Sequence, residues 1–227
     1  MSEPGAELAP AARAALQTVL ELLREDPASL SSITDERAWQ VHVVDSLTGL
    51  EVPELRQAAR IADVGAGAGF PGLVLAAALP ASQVDLIESV SRKTGFIQRA
   101  AEAAGIANAT AITARSEEVA REAGRESYDA VTARAVGRLS TLAELASPLL
   151  REGGVLVAWK GRRDSDEEAE MERAAEALAM RPEAVVDVGN RAGSRHRHLH
   201  VMRKSGPTPG ALPRRPGVAK KRPKGSA

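Results

Sequence analysis

Between residues 63 and 69 the chain reads Asp63-Val64-Gly65-Ala66-Gly67-Ala68-Gly69, with glycine at every second position behind a short apolar run. Glycine lets the backbone turn sharply and lets a ligand approach where a Cβ would clash. The apolar residues after this turn predict a helix, whose first N–H groups are free to meet anionic ligand atoms. Glu88 ends the next apolar run, where its carboxylate can accept hydrogen bonds from ribose hydroxyls. Together the two features imply a ligand containing a nucleoside. The dinucleotide fingerprint would need glycine at position 70, and Phe70 stands there. A dinucleotide, or a glycine turn with no ligand at all, stays the alternative on these residues alone.

Other clusters carry less chemistry. His196, His198 and His200 alternate and would share one side of a strand, but no carboxylate or cysteine nearby completes a ligand set, so no metal is expected. His42, Asp45 and Ser46 share one helix face. Their serine lacks a strained turn, so they read as a structural polar network or a wall on the substrate side rather than a hydrolytic triad. Lys160 ends an apolar strand and reads as a surface lysine or a phosphate contact. Glu167, Glu168, Glu170 and Glu172 read as a solvated helix face.

The elements that must hold these residues alternate. Leu16, Val19, Leu20 and Leu23 form one stripe of a helix over residues 6–25, and a second helix is expected over 36–47. Strands are expected at 60–64, 83–88, 109–114, 128–133, 155–159, 184–188 and 199–203. Helices through residue 79, over 92–104 and 117–123, along Leu139, Leu142, Leu145 and Leu149, and over 164–180 fall between them. Alternation of this kind argues for βαβ units and a mostly parallel, seven-stranded sheet covered on both faces, with ligands at the carboxyl ends of its strands. Residues 1–55 would be a helical extension packed on a core of residues 56–204. Residues 205–227, with five prolines and several basic residues, would be a tail that can hardly be core.

The 227 residues suit one domain with extensions, and 44% apolar with 26% charged residues is an ordinary globular balance. The longest apolar run, residues 73–80, is far too short to span a bilayer. The opening MSEPGAELAP lacks the basic and apolar regions of a secretory signal, so a cytoplasmic monomer is expected. No cysteine occurs, which excludes disulfides, thiolate metal sites and a cysteine nucleophile. With 2% aromatics, stacking of several bases on rings is improbable. Net charge is zero but unevenly laid out. Up to Asp187 there are 30 acidic against 19 basic residues, a balance of −11, and the remaining 40 residues hold 11 basic and no acidic ones. Such a split points to a basic arm seeking a polyanion, or to a solvated tail.

The G-x-G-x-G turn behind Asp63 resembles the cofactor loop of class I S-adenosylmethionine (AdoMet) methyltransferases. Methylation at a pyrimidine C5 commonly needs a cysteine, and residues 129–135 read Asp-Ala-Val-Thr-Ala-Arg-Ala rather than the Asn/Asp-Pro-Pro-aromatic motif of amino methylation. A guanine N7 fits better, since its lone pair is free and catalysis reduces largely to alignment.

Four stretches resemble the ribosomal small subunit methyltransferase G family, also called glucose-inhibited division protein B. They are Ser29–Ile33 with His42–Leu47, the loop ending Gly69-Phe70-Pro71-Gly72, the strands ending at Arg134 and at Trp159-Lys160-Gly161, and the basic tail around Leu212-Pro213-Arg214-Arg215-Pro216-Gly217. Ser31-Ser32 replaces a common Thr-Ala, and Ala133 and Val136 replace Ser and Phe. The resemblance implies a Rossmann-like class I methyltransferase that transfers methyl from AdoMet to N7 of a guanine in the 530 loop of 16S rRNA. It implies cofactor contacts at Gly65, Phe70, Ser116, Glu117 and Arg134, beside the glycines Gly67 and Gly69 and the acid Glu88. Arg134 is the best candidate for a catalytic role. Lys160, Arg203, Lys204, Arg214, Arg215, Lys220, Lys221 and Arg222 are expected to meet RNA phosphates, with no metal and no membrane involved. Truncation after Lys204 is expected to weaken RNA binding and leave AdoMet affinity alone.

Overall fold

The computed structural model describes residues 8–27, 30–134, 137–189 and 196–226. Helix α1 (Pro10–Glu25) starts with proline in its first turn, where the missing N–H costs nothing, and buries Leu16, Val19 and Leu23. A π-helical turn over Trp39–Val44 leads into α2 (Asp45–Leu47), and α3 (Pro53–Arg56) closes the N-terminal layer. Strands and helices then alternate: β1 (Arg60–Val64), α4 (Gly72–Ala78), β2 (Gln83–Glu88), α5 (Ser91–Ala103), β3 (Ala109–Thr113), α6 (Ser116–Val119), β4 (Tyr128–Arg134), α7 (Leu139–Ala146), β5 (Leu150–Lys160), α8 (Ser165–Leu178), β6 (Met180–Asp187), β7 (His198–Lys204) and α9 (Val218–Lys221).

The seven strands form one sheet in the order β3-β2-β1-β4-β5-β7-β6, with β7 antiparallel to both neighbours. Because β2 and β3 run outward on one side of β1 and β4 starts on the other, the order reverses between β1 and β4. A crevice opens there at the strand ends. One apolar layer, with Leu16, Val43, Leu73, Leu75 and Phe96, lies on one face, and a second, with Leu142, Leu150, Met171 and Leu178, on the other. Burial on both faces explains the unbroken apolar runs of β1 and β4.

β5 begins five residues earlier than its apolar run suggests. Gly153 has φ +80° and a Cβ on Gly154 would stand 2.8 Å from the Asp129 carbonyl, so the glycine pair that disguises the strand is also the feature that lets it pass β4. β6 likewise starts at Met180, since Pro182 is tolerated on a sheet edge. The expected helix over 117–123 shrinks to the four residues of α6.

Two expectations about charge are corrected. On α8, Glu167 and Glu170 are buried rather than solvated. Glu167 accepts from Lys160 Nζ (2.6 Å) and the Leu139 amide (2.7 Å), and Glu170 from Arg138 Nε (2.9 Å) and the Ser140 hydroxyl. The tail, expected to stay off the core, packs on it: Leu212 and Ala219 are buried. Arg121 donates to the Pro213 and Arg214 carbonyls, Arg125 to that of Leu212, and Arg173 to that of Gly225. Four basic residues expected at RNA are used internally, Lys160 in the pair with Glu167 just described. Arg203 pairs with Glu54 and Glu183, each at 2.6 Å, and Arg214 with Glu144. Lys204 is buried on the Ser147 carbonyl and Thr208 Oγ1, and burial pushes its ammonium down to about 8.

Candidate active site

The crevice at the strand ends is built by the glycine turn. Gly65, Gly67 and Gly69 all have positive φ, at +70°, +60° and +95°, so a side chain at any of them would be strained. Asp63 ties the far end of the turn to the sheet. Its Oδ2 accepts from the Gly72 amide at the start of α4 (2.9 Å), and its Oδ1 from Thr132 Oγ1 (3.0 Å) on β4. Full burial raises its carboxyl to about 6 despite these donors. Glu88 Oε2 accepts from the Gly67 amide (3.1 Å) and Oε1 from the Val90 amide (3.0 Å), which ties the turn to the end of β2.

Around these residues lies a cleft of about 290 Å³. Val64 and Ile87 give it an apolar floor; of the residues expected at the cofactor, Gly65, Glu88, Ser116 and Glu117 line it, whereas Gly67, Gly69, Phe70 and Arg134 do not. Ser89 Oγ also donates to Glu88 Oε1 (3.4 Å) and Lys93 Nζ stands 3.8 Å from Oε2; with about four acceptor positions, the carboxylate still has room for a hydroxyl donor. A polar rim of this kind over an apolar floor fits a nucleoside. Glu117, expected at the cofactor, accepts from the Gly217 amide through Oε1 (2.9 Å), and its Oε2 from Ser116 Oγ (3.3 Å).

Phe70 and Arg134 sit on the other side of the glycine turn, facing the N-terminal layer. The Phe70 ring stacks on His42, centroids 4.6 Å apart and planes 14° from parallel, and the Arg134 guanidinium stands 5.8 Å from the Phe70 centroid. Arg134 donates to the Val41 carbonyl and to Asp45 Oδ2, both at 3.0 Å, and Arg197 pairs with Asp45 Oδ1 at 2.8 Å. Trp159 Nε1 donates to the Asp45 carbonyl (2.9 Å), and its ring lies so close to Gly49 that a Cβ there would meet it at 2.5 Å. These contacts hold the N-terminal layer against β4 and β5. His42 Nε2 faces Ser31 Oγ (3.1 Å) and the Ile33 carbonyl (2.9 Å), and burial lowers its pKa, so the ring is neutral. The polar face of His42, Asp45 and Ser46 is thus a clamp on Arg134 and Phe70, and Ser46 spends its hydroxyl on the His42 carbonyl.

Lys160 pairs with Glu167 and the Gly137 carbonyl. Arg215, Lys220, Lys221 and Arg222 are exposed, and Lys220 lines the cleft. The structure brings two further groups to the cleft that the sequence does not announce: Thr141 and Leu145 near α7, and Gly217 and Ala219 of the tail. Among the described residues no three His, Cys, Asp or Glu stand where they could hold a metal ion. Nor, among those residues, is any helix long and apolar enough to cross a membrane.

The family model of rRNA small subunit methyltransferase G matches residues 15–200. The chain belongs to that family. Its relatives include the ribosomal RNA small subunit methyltransferase G of Pelotomaculum thermopropionicum, 40% identical over 88% of this chain and 84% of that one. The protein of the same name from Symbiobacterium thermophilum is 38% identical over 96% of this chain and 93% of its own. In fold the chain is similar to an AdoMet-dependent methyltransferase of Aquifex aeolicus, with a TM-score of 0.58 at 18% identity over 79% and 98% of the two chains. Class I methyltransferase architecture and AdoMet as the cofactor of the family agree with the glycine turn, Glu88 and the cleft.

Proposed function

We propose that this chain transfers the methyl group of AdoMet to N7 of a guanine in the 530 loop of 16S rRNA, acting in the cytoplasm as a monomer. The observation that carries the reading is the juxtaposition at one edge of the fold. A nucleoside-sized cleft behind a glycine turn lies beside a segment bearing exposed Arg215, Lys220, Lys221 and Arg222.

Bound AdoMet supplies an electrophilic methyl on a sulfonium sulfur. The residues of the chain bind and orient. Glu88 and the Gly65 turn would hold the nucleoside half, and Asp63 keeps the turn rigid through Gly72 and Thr132. Arg134 and Phe70, fixed by Asp45 and His42, border the side from which an acceptor would come. Guanine N7 carries no proton, so the reaction needs no general base, and His42, neutral and buried, is not required to be one. Without cysteine the chain forms no thiolate adduct with a base. In A-form RNA the N7 edge lies in a deep, narrow groove, so the target must sit in an irregular loop or turn outward.

The test is methyl transfer from labelled AdoMet to small ribosomal subunits and to naked 16S rRNA, both from cells lacking the protein. Borohydride and aniline then cut at N7-methylguanine. A single cut in the 530 loop is expected. Label without scission would exclude N7, and no label in either RNA would exclude rRNA as substrate.

A further inference from the structure

We propose that the C-terminal segment is a wall of the cofactor cleft, so that residues 217–220 help retain AdoMet. This rests on the AdoMet reading above and deepens it. Three sides of the cleft come from the ends of β1, β2 and β3 with their loops, and a fourth from Thr141 and Leu145 on α7. The remaining side is Gly217, Ala219 and Lys220. The segment is latched to the cleft's own residues. The Gly217 amide donates to Glu117 Oε1 at 2.9 Å, and Glu117 is only 6% exposed. Gly217 has φ +79°, a conformation that suits glycine, and it is this turn that aims its N–H at the carboxylate.

Anchors within the segment and just before it leave it little freedom to swing away. Ala219 is 2% exposed, with its carbonyl toward Thr141 Oγ1 at 3.4 Å. Arg214 is paired with Glu144 on α7, and its backbone carbonyl is held by Arg121 Nη2 at 2.8 Å. Leu212 is seated in the second core layer. A solvated arm would spend none of these groups on the body. Glu117 therefore acts on the cofactor through the segment it positions, and Lys220 borders the same space as Glu88. The consequence reverses the expectation that truncation after Lys204 spares AdoMet affinity.

Two measurements on AdoMet binding decide it. Calorimetry compares the full chain with a chain ending at Lys204, whose folding is checked by circular dichroism and cooperative unfolding. At least a tenfold weaker Kd is expected for the shorter chain. Hydrogen exchange on the intact chain, which needs no truncated form to fold, is expected to show slower exchange at the amides of residues 218–222 when AdoMet is added, alongside residues 64–69 and 114–118. A folded truncated chain that binds AdoMet within twofold of the full chain overturns the proposal. So does protection confined to residues 64–69 and 114–118. If the full chain binds no AdoMet, the underlying reading falls with it, an outcome distinct from these two.

Discussion

The basic residues of the C-terminal region divide into those spent inside the fold and those left exposed, which on the proposed function would meet RNA, and salt dependence separates the two groups. Arg215, Lys221 and Arg222 are exposed and lie outside the cleft lining, whereas Arg203 and Arg214 are held by Glu54 and Glu183 and by Glu144. Each phosphate neutralised lowers the slope of log K against log salt by about 0.7 to 0.9. Replacing Arg215, Lys221 and Arg222 together with alanine should therefore flatten the slope by about 2 to 3. Arg203→Met should leave the slope unchanged, because that guanidinium is already neutralised by two carboxylates. Its cost should be in folding stability instead. Fluorescence anisotropy with a labelled 530-loop fragment, titrated between about 50 and 200 mM salt, reads the slope. Thermal unfolding of the same samples reads the stability. An unchanged slope in the triple variant, or a flattened one in Arg203→Met, would refute the division.

Arg134→Ala should abolish methyl transfer and also lower stability. Asp45 is 1% exposed, and among the described residues the substitution leaves it only Arg197 as a charged partner, a loss of about 1–3 kcal/mol. Near-normal turnover in that variant would remove Arg134 from the site. Asp63 gives a pH signature: its folded carboxyl titrates at about 6 against a reference of 3.8, so the folded chain binds this proton more tightly than the unfolded one. Its contribution to stability is full below pH 3.8 and is lost as pH rises through 6, about 3 kcal/mol over the whole range. Asp63→Asn keeps an acceptor for Gly72 and cannot titrate, so the wild type should gain on the variant in urea midpoint between pH 7 and pH 5. A constant difference would contradict the raised carboxyl.

Much of the fold is legible because it is local. The edges of β1 and β2 match the apolar runs at 60–64 and 83–88, and the turn between β1 and α4 is announced by its glycines. The hidden part depends on residues far apart in the chain. Arg134 meets Asp45 across 89 positions and Glu117 meets Gly217 across 100, and no periodicity within a segment encodes either pair. The strand expected at 155–159 leaves out the Gly153-Gly154 pair, since glycine weakens strands, yet here that pair lets β5 pass the Asp129 carbonyl. The buried glutamates of α8 mislead for a similar reason. A run of acids predicts a solvated face unless the arginine and lysine facing it, Arg138 and Lys160, are known.

The uneven charge of the chain carries the same lesson further. From sequence, the basic C-terminus should seek a polyanion or lie as a solvated tail. In the fold a large share of that charge acts on the chain itself. Arg214 reaches Glu144, Arg203 reaches Glu54 and Glu183, and Lys204 comes within 3.9 Å of Glu126. Buried or half-buried pairs of this kind do more for the geometry than for net stability, since desolvation offsets most of their attraction. Here the geometry they fix is the path of the C-terminal segment past α6 and α7, along the rim of the cleft and on to α8, where Arg173 holds the Gly225 carbonyl. The cations left over, Arg215, Lys221 and Arg222, are carried on that same path. On the proposed function, the internal pairs would thereby hold these exposed cations near the cleft, where they could meet RNA phosphates.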